Sequence, residues 1–234
     1  MIRAVTLDLD DTLWPIAPVM ARAEQALDDW LAANCPPVRE AFPIAVMRSL
    51  RERIWLEHPH LAHDFTELRK LSLRHAFCAS GQDEGLVESA FAAFFDARNR
   101  VELYDDVADT LHTLGSRFTL ASISNGNADL ERIGLARHFH ATIHARAIGA
   151  AKPDPIIFQA AARALDVTPA EVAHVGDDPE LDVLGAQRAG MLAVWLNRDG
   201  ASWPFAERRP DLTITRLDQL PAALSVHAGV GCAA

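Results

Sequence analysis

Asp8 and Asp10, two carboxylates one residue apart with Asp11 and Thr12 directly behind them, close the apolar run that starts at Arg3. They therefore stand at the C-terminal end of an expected strand. A second acidic group, Asp177, Asp178 and Asp182, follows Val-Ala-His-Val-Gly, while Ser124 and Asn125 follow the apolar run from Phe118 to Ile123. Lys152 precedes Pro153 and a new helical pattern. In open α/β sheets the residues at the carboxyl ends of neighbouring strands face one crevice, so these groups are expected to converge. Carboxylates about 4 Å apart repel by roughly 1 to 4 kcal/mol per pair. Positive charge must offset this, and the candidates are the Lys152 ammonium and a hard divalent cation with oxygen ligands, Mg2+ first among them. The same charges would hold a phosphoryl group against a carboxylate, and phosphoryl transfer is mostly positioning and charge neutralisation.

The elements that position these residues follow from periodicity. After the first strand, Val19, Ala23, Ala26, Leu27, Trp30 and Leu31 recur at helical spacing, as do Val87, Ala90, Phe91, Phe94 and Phe95. Further helices are expected over 43–57 and 64–77, the latter opened by Asp64 and Glu67 in capping-box spacing. Beyond Tyr104 the pattern alternates: a helix to Leu114, a strand from Phe118, a short helix near Asp129, a strand near Thr142 and a helix from Pro155 to Leu165. Thr168, Pro169 and Glu171 open another short element, followed by a strand over Val172 to Val175, a helix to Ala189 stopped by Gly190, and a strand over Leu192 to Leu196. Such alternation is what βαβ units in a doubly wound, Rossmann-like parallel sheet require. The expected organisation is a catalytic core of residues 1–14 and 101–234 carrying an all-helical cap, 15–100, inserted after the first strand. The tail from about Val226 is expected to fray.

The chain has 234 residues, half of them hydrophobic, and a formal net charge of −10. That charge argues against a nucleic-acid backbone or an anionic membrane as partner; a small anionic ester remains compatible if positive charge is concentrated locally. No stretch reaches the roughly 20 apolar residues of a membrane-spanning helix, and the N-terminus opens directly into a strand pattern, so a cytoplasmic location is expected. Cys35, Cys78 and Cys232 are widely spaced and odd in number, which reads as reduced thiols rather than a disulfide framework.

In order and spacing, Asp-Leu-Asp-Asp-Thr at 8–12, Ser-Asn at 124–125, Lys-Pro at 152–153 and Gly-Asp-Asp-Pro-Glu-Leu-Asp at 176–182 resemble the four motifs of the haloacid dehalogenase superfamily. More narrowly, they look like its bacterial phosphatase branch acting on flavin mononucleotide and on phosphoribitylaminouracil. The resemblance implies a Mg2+-dependent hydrolase of small phosphate monoesters working through an aspartyl-phosphate. Asp8 is then the nucleophile and Asp10 the general acid and base. Thr12, Ser124, Asn125 and Lys152 are placed at the phosphate, with Thr12 steadying Asp10 or the loop. Asp8, Asp177 and the Asp10 carbonyl hold the metal, and Asp178 and Asp182 act as further ligands or as supports behind them. Haloacid dehalogenases and phosphomutases share this core; a dehalogenase needs neither an acid at position 10 nor a metal ligand at 177. A phospho-receiver module also pairs acids with a hydroxyl and a lysine, but has no long helical insert.

Other features read as structural. His58, His60 and His63 read as solvent-facing loop residues, the Phe91, Phe94, Phe95 stripe as core packing, and Asp11 as a loop acid without a catalytic role. Trp14 either lines the pocket or packs at the hinge. The leaving group and the oligomeric state are not readable from the sequence.

Overall fold

The computed structural model describes residues 1–230. Six parallel strands form one sheet: β1 (Ala4–Leu7), β2 (Thr119–Ser124), β3 (Ala141–His144), β4 (Val172–Gly176), β5 (Leu192–Leu196) and β6 (Leu212–Ile214), in the order β3-β2-β1-β4-β5-β6. β1 is central and wholly buried, which is why it reads as an unbroken apolar run rather than an alternating one. Its register runs Ala4 opposite Thr119 on one side and Val172 on the other, and Leu7 opposite Ser122 and Val175. The ends of β1, β2 and β4 are thereby level, and the loops that leave them emerge together.

The chain divides into two compact units, one comprising Met1–Pro15, Glu102–Gly126 and the remainder from Leu130, the other Ile16–Val101 with Asn127–Asp129. The second unit is all helical: α1 (Ile16–Asn34), α2 (Pro36–Ala41), α3 (Ile44–Glu57), α4 (Phe65–Ala79) and α5 (Val87–Arg98). α1 packs along α5, and α3 along α4. The core between them includes Leu27, Leu31, Leu73, Phe77, Phe91 and Phe94, so the phenylalanine stripe is packing, as expected. Asp64 caps α4 by accepting from Glu67 N at 2.9 Å.

In the sheet unit the helices are α6 (Val107–Gly115), α7 (Leu130–Ile133), α8 (Ala145–Ile148), α9 (Pro155–Ala164), α10 (Gly185–Arg188) and α11 (Leu220–Val230). Asp154 caps α9 through Ile156 N, and Thr168 and Glu171 close a reciprocal capping box. α9 packs on β2 and β3, and Ile157 and Phe158 join Ile123, Val172 and Trp195 in the core. Gly190 takes a φ of 82°, and this left-handed residue ends the helix before β5.

The structure adds α2, α8 and β6 to the expected elements and departs from the expectation at two further places. The stretch expected to be one α-helix up to Ala189 begins with a wide π-helical turn, Pro179–Leu184, in which Val183 N reaches Asp178 O five residues back at 3.3 Å. At the C-terminus α11 continues to Val230, where fraying is expected from sequence; residues 231–234, Cys232 among them, lie outside the described residues. Cys35 and Cys78 are free thiols. Among the described residues no helix is long and apolar enough to cross a membrane.

Candidate active site

The site starts where β1 ends. Asp8 N still donates to Val175 O at 2.9 Å, which keeps it in register with β4. The chain then turns tightly: Leu13 N reaches Leu9 O at 2.8 Å, Asp11 N reaches Trp14 O at 2.8 Å, and Asp11 adopts a left-handed φ of 58° that Asp tolerates better than most residues. Leu9, Leu13 and Trp14 are fully buried under this loop. The buried Trp14 indole still needs a partner, and its Nε1 donates to Asp10 Oδ1 at 2.8 Å. Trp14 therefore packs and holds Asp10.

Lys152, 5% exposed, donates to Asp8 Oδ1 and, at 2.6 Å, to Asp182 Oδ1. Asp182 is held on both oxygens, since Oδ1 also lies 3.2 Å from His174 Nε2 and Oδ2 accepts from Asp178 N at 3.0 Å. His174 Nδ1 is 2.9 Å from Thr6 Oγ1. A polar chain thus runs Thr6, His174, Asp182, Lys152, Asp8 through an otherwise apolar interior. Gly176 is required beside it: a Cβ there would lie 2.2 Å from Asp182 Cγ.

The electrostatics show a shortage of positive charge. Burial pushes the Asp8 carboxyl well above the usual carboxylate range, Lys152 opposes this, and Asp182 and Asp177 add to it. Asp177 is pushed up to about 7, first by burial and then by Asp182. Burial works against the Lys152 ammonium, but Asp182 and Asp8 outweigh it and raise that group. Burial would raise Asp182 too, yet Lys152 and His174 outweigh it and hold the carboxyl below its usual range. One ammonium thus balances Asp182 and leaves Asp8 and Asp177 underserved. Asp8, Asp177 and Asp182 each offer an oxygen within 4.8 Å of the others, the grouping among the described residues that could hold a metal ion. A buried all-oxygen set short of positive charge fits a hard divalent cation.

The remaining expected residues lie as follows. Thr12, fully buried, donates Oγ1 to Asp177 Oδ1 at 2.9 Å. Ser124, at the end of β2, accepts from Gly126 N at 3.0 Å. The Asn125 side chain forms a reciprocal pair with the Lys152 backbone, donating to its O at 2.9 Å and accepting from its N at 2.7 Å, which fixes where the lysine starts. Asp178 Oδ1 accepts from Glu180 N and Leu181 N at 2.8 and 2.7 Å, so its side chain caps the π-helical turn. The Asp10 carboxylate stands outside the three-carboxylate group. His58 and His60 meet edge to face with centroids 5.6 Å apart and belong to no such group.

Three contributors escape sequence reasoning. His174 is one, although a histidine inside an apolar strand run is a signal that something buried must bond it. Trp195, whose Nε1 donates to Asp177 O at 2.8 Å, is another. Arg198 is the third: it grips Asp106 with both terminal nitrogens at 3.0 Å, donates to Thr12 O at 3.0 Å, and stacks on Tyr104 with its carbon 3.9 Å from the ring centroid.

A family model described as haloacid dehalogenase-like hydrolase matches residues 2–190. The chain is 32% identical to the 5-amino-6-(5-phospho-D-ribitylamino)uracil phosphatase YigB of Escherichia coli, covering 95% of this chain and 96% of that one. It is 31% identical to a phosphoserine phosphatase of Thermus thermophilus, covering 94% and 98%. Among solved structures, one described as a 2-haloacid dehalogenase from Pseudomonas syringae is 41% identical, superposes with a TM-score of 0.91, and is covered in full by 97% of this chain.

Proposed function

The chain belongs to the haloacid dehalogenase-like hydrolase family, and we propose that within it this enzyme is a Mg2+-dependent phosphatase that cleaves a small phosphate monoester through an aspartyl-phosphate on Asp8. The observation that carries the reading is the buried Asp8, pinned by Lys152 and grouped with Asp177 and Asp182, with a second acid, Asp10, held two residues along by Trp14. Phosphatase relatives spanning nearly the whole chain support it.

Lys152 opposes the burial that favours the protonated form of Asp8 and pairs with the incoming phosphoryl group. The Asp8 carboxylate forms a bond to phosphorus as the ester P–O bond breaks, and the departing alkoxide takes its proton from Asp10. Water then attacks the acyl phosphate, gives a proton back to Asp10, releases orthophosphate and restores Asp8. Asn125 sets the lysine by holding its backbone, Ser124 and the Asn125 N–H offer donors to the phosphate oxygens, and Thr12 and Trp195 orient Asp177. Asp8, Asp177 and the Asp10 carbonyl would hold Mg2+, with Asp182 behind them; when bound, the ion neutralises these carboxylates and the phosphoryl oxygens. The helical unit acts as the cap that selects the leaving group; the phosphoribitylaminouracil phosphatase relative favours a phosphorylated ribitylaminouracil as substrate, and the motif resemblance adds flavin mononucleotide.

The 41% identical structure described as a 2-haloacid dehalogenase supports a second reading, in which Asp8 displaces halide from carbon. Halide leaves as a stable anion and requires no proton, so the displacement step gives Asp10 no proton to donate and Asp177 no cation to hold. The deciding experiment incubates native protein and Asp8→Asn with flavin mononucleotide, sugar phosphates, phosphoserine and 2-chloropropionate, with and without Mg2+. Phosphate release that needs both Mg2+ and Asp8 is the expected result. Halide release without phosphate release replaces the proposal with the dehalogenase reading.

A further inference from the structure

Within the helical unit, α1, α3 and α4 enclose a second feature that the chemistry at Asp8 does not use. A cavity of about 290 Å3, counting its open mouth, is lined by the apolar Leu27, Leu31, Phe42 and Met47 and by Arg48, Arg51 and Arg69 with Glu24 and Asp28. The carboxylates are already engaged: Glu24 accepts from Arg48 Nε at 2.7 Å and Arg51 Nη1 at 3.2 Å, and Asp28 accepts from Arg39 Nε at 3.2 Å. Arg69 is different. It is 7% exposed, lies with its guanidinium carbon 3.6 Å from the Phe94 ring centroid, and donates no hydrogen bond to any described residue. Burial first, then Arg51 and Arg98, lower it to about 9 against the opposing pull of the Glu24 carboxylate, so it keeps its charge at neutral pH. A guanidinium with a ring on one face and no hydrogen-bond partner among the described residues leaves its donor fork open to an anion entering the cavity.

We infer that this cavity is a binding site for a short-chain carboxylate, with Arg69 holding the carboxylate in its fork and the Leu27, Leu31, Phe42 and Met47 wall covering the tail. The guanidinium edge matches a carboxylate in two parallel bonds, and Leu27, Leu31, Phe42 and Met47 in the same lining offer apolar surface to a short tail. Every lining residue lies within the helical unit. The inference stands whether or not the reaction at Asp8 is phosphate hydrolysis.

The test is calorimetric titration of the full chain with sodium acetate and sodium butyrate, repeated on Arg69→Met and Arg69→Lys. Butyrate is expected to bind saturably at one site, about fifteenfold tighter than acetate, at about fourfold for each buried methylene. Arg69→Met is expected to weaken butyrate at least about tenfold while melting no lower than native protein, because an apolar side chain replaces an unpaired buried charge. Arg69→Lys, which keeps the charge and loses the fork, is expected to fall between, and carries the test if the methionine variant does not fold. Absence of saturable butyrate binding, or butyrate binding unchanged in these variants, overturns the site. Inorganic phosphate bound more tightly than butyrate in an Arg69-dependent way overturns the assignment to a carboxylate with an apolar tail.

Discussion

Substituting Gly176 by alanine tests how the acid cluster is built, because the change adds one methyl group and removes no chemical residue. A Cβ at this position meets Asp182 Cγ at 2.2 Å, Oδ2 at 2.3 Å and Cβ at 2.6 Å. Carbon atoms pack at roughly 3.5 to 4 Å, so the Asp182 side chain must retreat by at least about 1 Å. It cannot do so freely, since Lys152 holds it at 2.6 Å, His174 at 3.2 Å and Asp178 N at 3.0 Å. Overpacking costs about 1 to 3 kcal/mol, and a hydrogen bond to a charged group adds about 1.5 to 3 kcal/mol. The expected destabilisation of Gly176→Ala is about 3 to 5 kcal/mol, which lowers Tm by roughly 6 to 20 °C for a chain of this size. Phosphate release at saturating ester is expected to fall at least about tenfold, because Lys152 loses the tether opposite Asp8. The control is a double-mutant cycle on an Asp182→Gly background, which removes the three atoms nearest the added methyl; its cost there should drop below about 1 kcal/mol, a coupling of at least about 2 kcal/mol. Differential scanning calorimetry measures the stabilities and a phosphate-release assay the activity. A Gly176→Ala protein melting within about 2 °C of native, or costing the same on the Asp182→Gly background, refutes the reasoning.

Other expectations follow from single contacts. Trp14→Phe deletes the hydrogen bond to Asp10 and should lower kcat/KM, which reports phosphoryl transfer to Asp8, by about tenfold for alkyl phosphates while sparing kcat/KM for p-nitrophenyl phosphate, whose leaving group needs no proton; equal loss of kcat/KM on both esters contradicts the acid role given to Asp10. Asp177, raised to about 7, binds a proton more tightly in the folded protein than in the unfolded chain. The metal-free fold therefore loses stability as pH rises from about 4 towards 7, and Mg2+, which needs the ionised acid, should raise Tm more at pH 8 than at pH 6. An Mg2+ response that shrinks with pH contradicts this. Asp106 accepts from both terminal nitrogens of Arg198 and, at 2.6 Å, from Leu217 N. Asp106→Ala should cost about 3 to 5 kcal/mol at neutral pH. Burial alone would raise the Asp106 carboxyl, but Arg198 and Leu217 N outweigh it and lower it. Its contribution is therefore present above about pH 4 and lost as pH falls through its lowered value, so the gap between variant and native melting temperatures should close in acid.

The sheet was legible because β1, β2, β4 and β5 are buried almost throughout and read as apolar runs, three of them ending in polar clusters; that alone brought Asp8, Lys152, Asp177 and Asp182 to one place. Their partnering was not legible. Asn125 holds the Lys152 backbone with its side chain, and Trp14 turns inward to Asp10; both depend on loop geometry that no periodicity encodes. The π-helical turn at Pro179–Leu184 was hidden for a similar reason. Asp178 caps it and Asp182 is drawn inward over Gly176, and these tertiary demands override an ordinary helical pattern. β6, only three residues long, is too short to carry an alternation signal.

The central place of β1 also bears on how the protein is made. This strand leaves the ribosome well before its two neighbours, whose paired stretches begin at Thr119 and Val172, and pairings so distant in sequence form late. Meanwhile the contiguous stretch from Ile16 to Val101 has its own core to gather. A chain halted before Gly176 is therefore expected to be helical and inert, lacking Asp177 and Asp182, and to bear an apolar strand with an open edge that invites pairing with other unfinished copies. Quality control during synthesis thus has to guard β1 until β4 arrives.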